Sequence, residues 1–327
     1  MRRNQHAGGE RSDGARLRIL TDDEIREIHL STLEVLEQTG VWVEDEEART
    51  TFAAGGAVVD GVTGVVRLPP YLVEEALRSA PSRVVLAARD SKNDLVLEPG
   101  RVGFTNFGEG IQVVDPYTGE LRPSTVADFV NAARVADALD SVDVFEKAIS
   151  VHDVPQETAV LYQAEACLAN TSKHGFMGSG NGYLTKRLVE MAAAVAGGAE
   201  KLRARPLLTF ITCPVSPLKL VRDCCEIIME SARAGAAVNI LSMAMAGGSS
   251  PVTLAGTLVT HNAEVLSGLT LAQLTRKGAK VIYGSSTTAI DLRLASASVG
   301  SPECALISGA VAQLARFYLL PSWVAGA

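Results

Sequence analysis

The stretch from Leu207 to Gly284 decides the fold. It reads Leu207–Thr212 (LLTFIT), a helical pattern over Leu220–Ala234, Val238–Ser242 (VNILS), a second helical pattern over Leu254–Thr275, and Lys280–Gly284 (KVIYG). Each strand is short and apolar on both faces, and each leads into a crossover helix, which is the pattern of a parallel sheet buried on both sides. The same alternation extends in both directions. Towards the N-terminus it gives strands Val102–Asn106, Val144–Val151 and Gly175–Gly178, with helices Val126–Leu139, Thr158–Ala169 and Leu184–Ala196. Towards the C-terminus it gives helix Glu303–Leu319 and strand Ser322–Ala325.

Seven strands alternating with helices predict an α/β fold, a (β/α)8 TIM barrel. Trp323-Val324-Ala325 is followed by no helix in this sequence. A parallel strand without its covering helix leaves one sheet face wet, and seven strands do not close an eight-stranded barrel. The expectation is therefore a barrel incomplete in this chain, the front part of a longer protein rather than an open sheet.

Ahead of the barrel, residues 1–16 are polar and Gly-rich and read as a loose tail. Residues 17–100 read as an N-terminal α+β extension, and residues 101–327 as the barrel with its C-terminal part missing. In the extension, Thr21 with Asp22 and Asp23 starts a helix that Gly40 stops. Val41–Val43 is a strand, Asp45–Ala54 a helix, Val65–Leu68 a strand and Leu72–Ser79 a helix.

Composition excludes several function classes. With 30 Lys plus Arg against 37 Asp plus Glu, the formal charge is -7, a poor match for nucleic acid or an anionic membrane. No run of 18 apolar residues is present to span a bilayer. The 5 cysteines are odd in number and contain no CxxC, and Met1–Ser12 has no apolar signal core, so reduced thiols in a cytoplasm are expected. Cys224 and Cys225 are adjacent and point to different sides of a helix, which argues against zinc.

Barrel function collects at the C-terminal ends of the strands. There the sequence places Asn106, Phe107 and Glu109, then His152 and Asp153, then Phe176, Ser179 and Asn181, then Cys213 and Ser216. Lys173 and Lys280 precede their strands, so no lysine is expected at a strand's C-terminal end and Schiff-base chemistry is disfavoured. Neither HExxH nor a carboxylate cluster is legible, and no metal site is expected. The loop Met177–Gly182 (MGSGNG) reads as a tight turn that needs glycine rather than a phosphate cradle. Glu109, between Gly108 and Gly110, can approach a ligand on a flexible loop.

Several ordered stretches together resemble one family. They are Asp115–Arg122 (DPYTGELR), Lys173–Asn181 (KHGFMGSGN), Pro214–Leu218 (PVSPL), Pro251–Glu264 (PVTLAGTLVTHNAE), Gly278–Ser285 (GAKVIYGS) and Leu320–Gly326 (LPSWVAG). From about Leu17 onward the chain resembles the trimethylamine methyltransferase family of corrinoid-dependent methyltransferases.

The resemblance implies a TIM barrel and transfer of a methyl group from trimethylamine to the cobalt of a separate corrinoid protein. It implies glycine betaine or another quaternary amine as the alternative donor, and an inactive truncated paralogue as the non-enzymatic alternative. It also implies that the catalytic electrophile is a pyrrolysine, expected just beyond Ala327, so that the chain as it stands is expected to be inactive. No permanently bound cofactor is expected, because no D-x-H-x-x-G supplies a cobalt-ligating histidine; the corrinoid comes with its cognate protein. A homo-oligomer fits the same resemblance.

Strand-end placement then nominates the cavity residues. Glu109 and His174 are the catalytic candidates within the chain. Asn106, Phe107, Phe176, Asn181 and Trp323 are the substrate-binding candidates, the aromatics because an alkylammonium favours their faces. His152 and Glu264 are lesser candidates.

Overall fold

The computed structural model describes residues 18–325. The expected tail over residues 1–16, and Gly326 and Ala327, lie outside the described residues.

The N-terminal helix Asp22–Glu34 begins as its sequence dictates. Thr21 accepts from the Glu24 amide while the Glu24 carboxylate takes the Thr21 amide, a reciprocal cap. The chain continues through a wide turn over Val35–Thr39 and stops at Gly40, whose φ of 78° suits glycine. A Cβ there would lie 2.4 Å from the Val66 carbonyl oxygen, so no other residue fits. Val41–Val43 then pairs antiparallel with Val65–Arg67 and, on its other edge, parallel with Lys219–Leu220. The extension is thus latched by backbone hydrogen bonds to a loop of the barrel.

Six parallel strands form the barrel wall: β1 (Val144–Glu146), β2 (His174–Gly178), β3 (Leu208–Thr212), β4 (Ala237–Ser242), β5 (Val281–Ser285) and β6 (Ser322–Val324). They lie side by side in chain order. Alternate residues face opposite sides, as the pleat requires. Met177, Phe210, Val238, Ile240 and Tyr283 join the large core under the helices. Val144, Phe176, Ala237 and Ile282 form a second, interior core. Helix α1 (Val126–Ala138) precedes β1, and α2 (Ala159–Asn170), α3 (Gly182–Ala196), α4 (Arg222–Ala234), α5 (Leu254–Thr275) and α6 (Pro302–Phe317) run between the strands. The long helix α5 is buried on nearly every side because it is sandwiched between the sheet and helices Asp22–Glu34 and Pro70–Ser79 of the extension.

Two expected strands change. Val102–Asn106 is no strand; its backbone pairs with the sheet as an isolated parallel bridge from Thr105 to Val144. The Phe104 carbonyl there accepts from both Asp143 and Val144, which breaks the ladder spacing. The strand drawn over Val144–Val151 ends at Glu146, because the Ala148 carbonyl turns to the Gly110 amide and Ser150 to the Gly110 carbonyl. A hairpin not anticipated, Val84–Leu86 with Leu95–Leu97, packs Val84, Leu86, Leu95 and Leu97 into the interior core. It lies beneath the N-terminal end of β2, where the Ala87 carbonyl meets His174.

Between the β6 edge and the segment preceding β1 lies a cavity of about 590 Å³, lined by Leu97, Arg101, Phe104, Val144, Gln313 and Trp323 among others. The barrel is open along this seam.

Candidate active site

The C-terminal end of β1 carries the charged cluster of the barrel mouth. Glu146 is its last residue and Lys147 follows, so a lysine does stand at a strand's C-terminal end, contrary to expectation. The error came from drawing β1 as far as Val151, which hid Glu146 and Lys147 inside a strand. Two charged neighbours in the otherwise apolar run Val144–Ile149 were the missed signal.

Glu109 reaches this cluster from its glycine-rich loop. Its Oε1 lies 2.6 Å from Lys147 Nζ, with the Lys147 side chain only 14% exposed against 52% for Glu109. The two glycines that admit the cluster are specific. A Cβ on Gly178, at the end of β2, would lie 3.2 Å from Glu109 Oε1 and 4.0 Å from Lys147 Nζ. A Cβ on Gly108 would lie 2.8 Å from Glu146 Oε1. Burial, reinforced by the Glu109 charge, pushes the Glu146 carboxyl up to about 7. A carboxyl near neutrality beside an ion pair can take up or release a proton at working pH. The two carboxylates, Glu109 and Glu146, are brought together from segments 37 residues apart (109 to 146). Cys213, at the end of β3, feels the same charge, and burial with Glu109 raises its thiol to about 11, so it stays protonated.

Of the other nominated residues, Asn106 joins the cluster and the rest are dispersed. Asn106 clamps the loop to β1, its Oδ1 accepting from the Glu146 amide at 3.0 Å and its Nδ2 donating to the Glu146 carbonyl at 2.8 Å. Phe107 is 80% exposed. Asn181 caps α3 through the Leu184 amide. Phe176 and Trp323 stack against each other in the barrel interior. His152 bonds the Ile111 carbonyl from an exposed position.

His174, expected near the mouth, is the first residue of β2 and sits at the opposite end, because the motif precedes rather than follows the strand. It is held between the Ala87 carbonyl and Thr209 Oγ1, at 2.8 and 2.9 Å. Burial lowers its imidazole to about 4, so it is neutral. Glu264 on α5 is fully buried and ties two mouth loops together. It accepts from Ser216 Oγ, the Leu218 amide and Ser242 Oγ, at 2.9, 3.0 and 2.6 Å. Asn239, on β4, was not singled out from sequence; it is wholly buried with both carboxamide atoms unpaired among the described residues.

Comparison with known proteins identifies the family. The family described as "Trimethylamine methyltransferase (MTTB)" matches residues 3–327. The chain belongs to the trimethylamine methyltransferase family. It is 52% identical over 320 residues to trimethylamine methyltransferase MttB of Desulfitobacterium hafniense, covering 98% of this chain and 64% of that protein. It is 46% identical to MttB of Methanosarcina barkeri, covering 99% of this chain and 66% of that one. A glycine betaine methyltransferase of Desulfitobacterium hafniense is 38% identical, covering 93% of this chain and 63% of that one. The chain thus spans about two-thirds of the length of the relatives it matches.

Among solved structures, the Methanosarcina barkeri monomethylamine methyltransferase MtmB superposes with a TM-score of 0.55 at 14% identity, covering 93% of this chain and 67% of that one. That likeness supports the TIM-barrel fold. No described helix is long and apolar enough to cross a membrane. No group of three or more His, Cys, Asp or Glu residues that could hold a metal occurs among the described residues.

Proposed function

We propose that this chain is the front part of a trimethylamine:corrinoid protein methyltransferase, residues 17–100 forming its N-terminal extension and residues 101–327 the first part of its barrel. The observation that carries this reading is the 52% identity to MttB across nearly the whole chain. The mouth cluster supports it. Trimethylamine is mostly protonated in water, and a protonated amine holds no lone pair for reaction. The Glu146 carboxylate, destabilised by burial and by Glu109, takes the amine's proton at its Oε atoms. Lys147 holds Glu109 over Gly178, fixing the charge on that side of the mouth. Asn106 sets the height of Glu146 by bonding both of its backbone groups.

The resemblance implies a pyrrolysine electrophile beyond Ala327; when present it would bind the amine covalently and activate a methyl group. The corrinoid would come on its cognate protein, docked over the mouth. His29, His174 and His261 are buried, and His152 already bonds Ile111. A cytoplasmic homo-oligomer is part of the same reading.

The test is methyl transfer by the protein purified from cells grown on trimethylamine, mixed with the reduced corrinoid protein from the same cells. Trimethylamine is expected to bleach the cobalt(I) absorbance. Bleaching by glycine betaine instead would favour the quaternary-amine alternative, and bleaching by neither would favour an inactive paralogue. Intact mass checks the electrophile. A mass well above 34.4 kDa, with a peptide that carries a pyrrolysine-sized residue after Trp323–Ala327, is expected.

A further inference from the structure

Asn239 stands out from every other polar side chain inside the barrel. It faces the interior, since Val238 and Ile240 on either side of it pack in the outer core while Ala237 joins the inner one. It is fully buried, and neither Oδ1 nor Nδ2 has a hydrogen-bond partner among the described residues. Such a group costs roughly 1–3 kcal/mol to leave unpaired, so a side chain present only for packing would be apolar.

The neighbouring strand is shaped for it. A Cβ on Gly284 would lie 2.1 Å from Asn239 Oδ1, so glycine at that position is what leaves room for the carboxamide. In register Asn239 pairs with Ile211 and Ile282, and Ile211 pairs with Gly178. The carboxamide therefore shares a layer with the glycine over which Glu109 and Lys147 sit, two strands and roughly 10 Å away along the sheet.

We propose that Asn239 selects a tertiary amine by hydrogen-bonding its nitrogen inside the barrel. The inference rests on the reading of the chain as an amine methyltransferase. A carboxamide serves both protonation states of such an amine: Oδ1 accepts from the ammonium N–H, and Nδ2 donates to the lone pair of the free base. Ile211 and Ile282 offer apolar flanks to the methyl groups. A quaternary amine has neither an N–H nor a lone pair, so it gains nothing from Asn239 and leaves the amide unpaired. Sites built to hydrogen-bond a ligand discriminate strongly against analogues that lack the group.

The test compares the purified protein with its Asn239→Leu variant by calorimetric titration with trimethylamine and with tetramethylammonium, and by melting without ligand. The protein is expected to prefer trimethylamine. The variant is expected to lose at least about tenfold in trimethylamine affinity, to bind tetramethylammonium unchanged, and to melt roughly 3 °C higher because an unpaired amide is gone. Equal loss for both ligands, unchanged trimethylamine affinity, or a lower melting temperature overturns the assignment. Should Asn239→Leu not fold, Asn239→Ala must show the same selective loss. If the unmodified protein binds neither amine, the functional reading itself fails, and the assignment with it.

Discussion

Phe176 and Trp323 stack with ring centroids 4.1 Å apart and planes 12° from parallel, although β3, β4 and β5 lie between their strands. Across a flat sheet, four strand spacings would separate them by roughly 19 Å. Contact requires the sheet to curl until strands four apart face each other, which is the curvature of an eight-stranded barrel. One ring pair therefore closes the interior and reports the barrel's radius.

Removing this pair tests its weight. Trp323→Ala is expected to cost about 2–4 kcal/mol of stability, below the figure for a fully buried tryptophan because Trp323 is half-buried. Urea unfolding followed by far-ultraviolet circular dichroism measures it. A cost below about 1 kcal/mol would mean that the hairpin Val84–Leu97, and not the ring stack, fills the barrel.

Stability should depend on pH through Glu146. Its folded-state value, about 7, lies above the ordinary carboxylate range, so the folded protein holds a proton that the unfolded chain has released. Stability contributed by that proton is complete below the unfolded value and is lost as pH rises through about 7, on the order of 3–4 kcal/mol in all. His174 and His261, lowered by burial to about 4 and 3, act in the opposite sense, adding stability as pH rises towards the ordinary imidazole value. The difference between the protein and Glu146→Gln isolates the carboxyl. Glu146→Gln is expected to be the more stable at pH 8 and nearly equal at pH 4.5, by denaturant titration at both values.

Glu264→Ala strips the acceptor from Ser216, Leu218 and Ser242 at once. A loss of about 2–4 kcal/mol is expected, because one buried and two half-buried donors lose their partner. Amide hydrogen exchange should quicken over residues 214–220, and with it over Val41–Val43, whose edge pairs with Lys219–Leu220. Exchange confined to α5 would show that the carboxylate does not hold the loop.

His174→Phe separates structure from chemistry. The imidazole bridges the Val84–Leu97 hairpin, at Ala87, and β3 at the N-terminal end of the barrel strands, away from Glu109 and Lys147. The variant is expected to lose about 2 kcal/mol of stability and to keep its methyl-transfer rate within about twofold, below the 1.4 kcal/mol that a tenfold change represents. A drop of tenfold or more in a folded variant would restore His174 as a catalytic group.

Six of the seven expected strands and the six expected helices of the barrel were legible in the sequence, because each lies in a run whose apolar pattern has one reading; Val102–Asn106 forms no strand and β1 ends early. Leu254–Thr275, read as a helix, is a helix over those same residues. Thr21 and Gly40 mark the start and stop of the first helical stretch through local hydrogen bonding and φ alone. The site was legible only in part. Glu109 was visible as a carboxylate between glycines, a purely local signal. Glu146 and Lys147 were hidden because where a strand ends depends on its partner: the Gly110 backbone turns the chain away after Glu146, and no local preference encodes that.

Sequence by itself determined the alternation of strand and helix, the helix caps and the family, since these rest on near-neighbour chemistry and on ordered motifs. Tertiary structure alone decided where β1 ends, and so brought Glu146 and Lys147 to the barrel mouth. It also set the Glu146 carboxyl near neutrality, because burial and a charge from a distant loop act through space. And it left Asn239 unpaired, since whether a buried amide finds a partner depends on every strand around it.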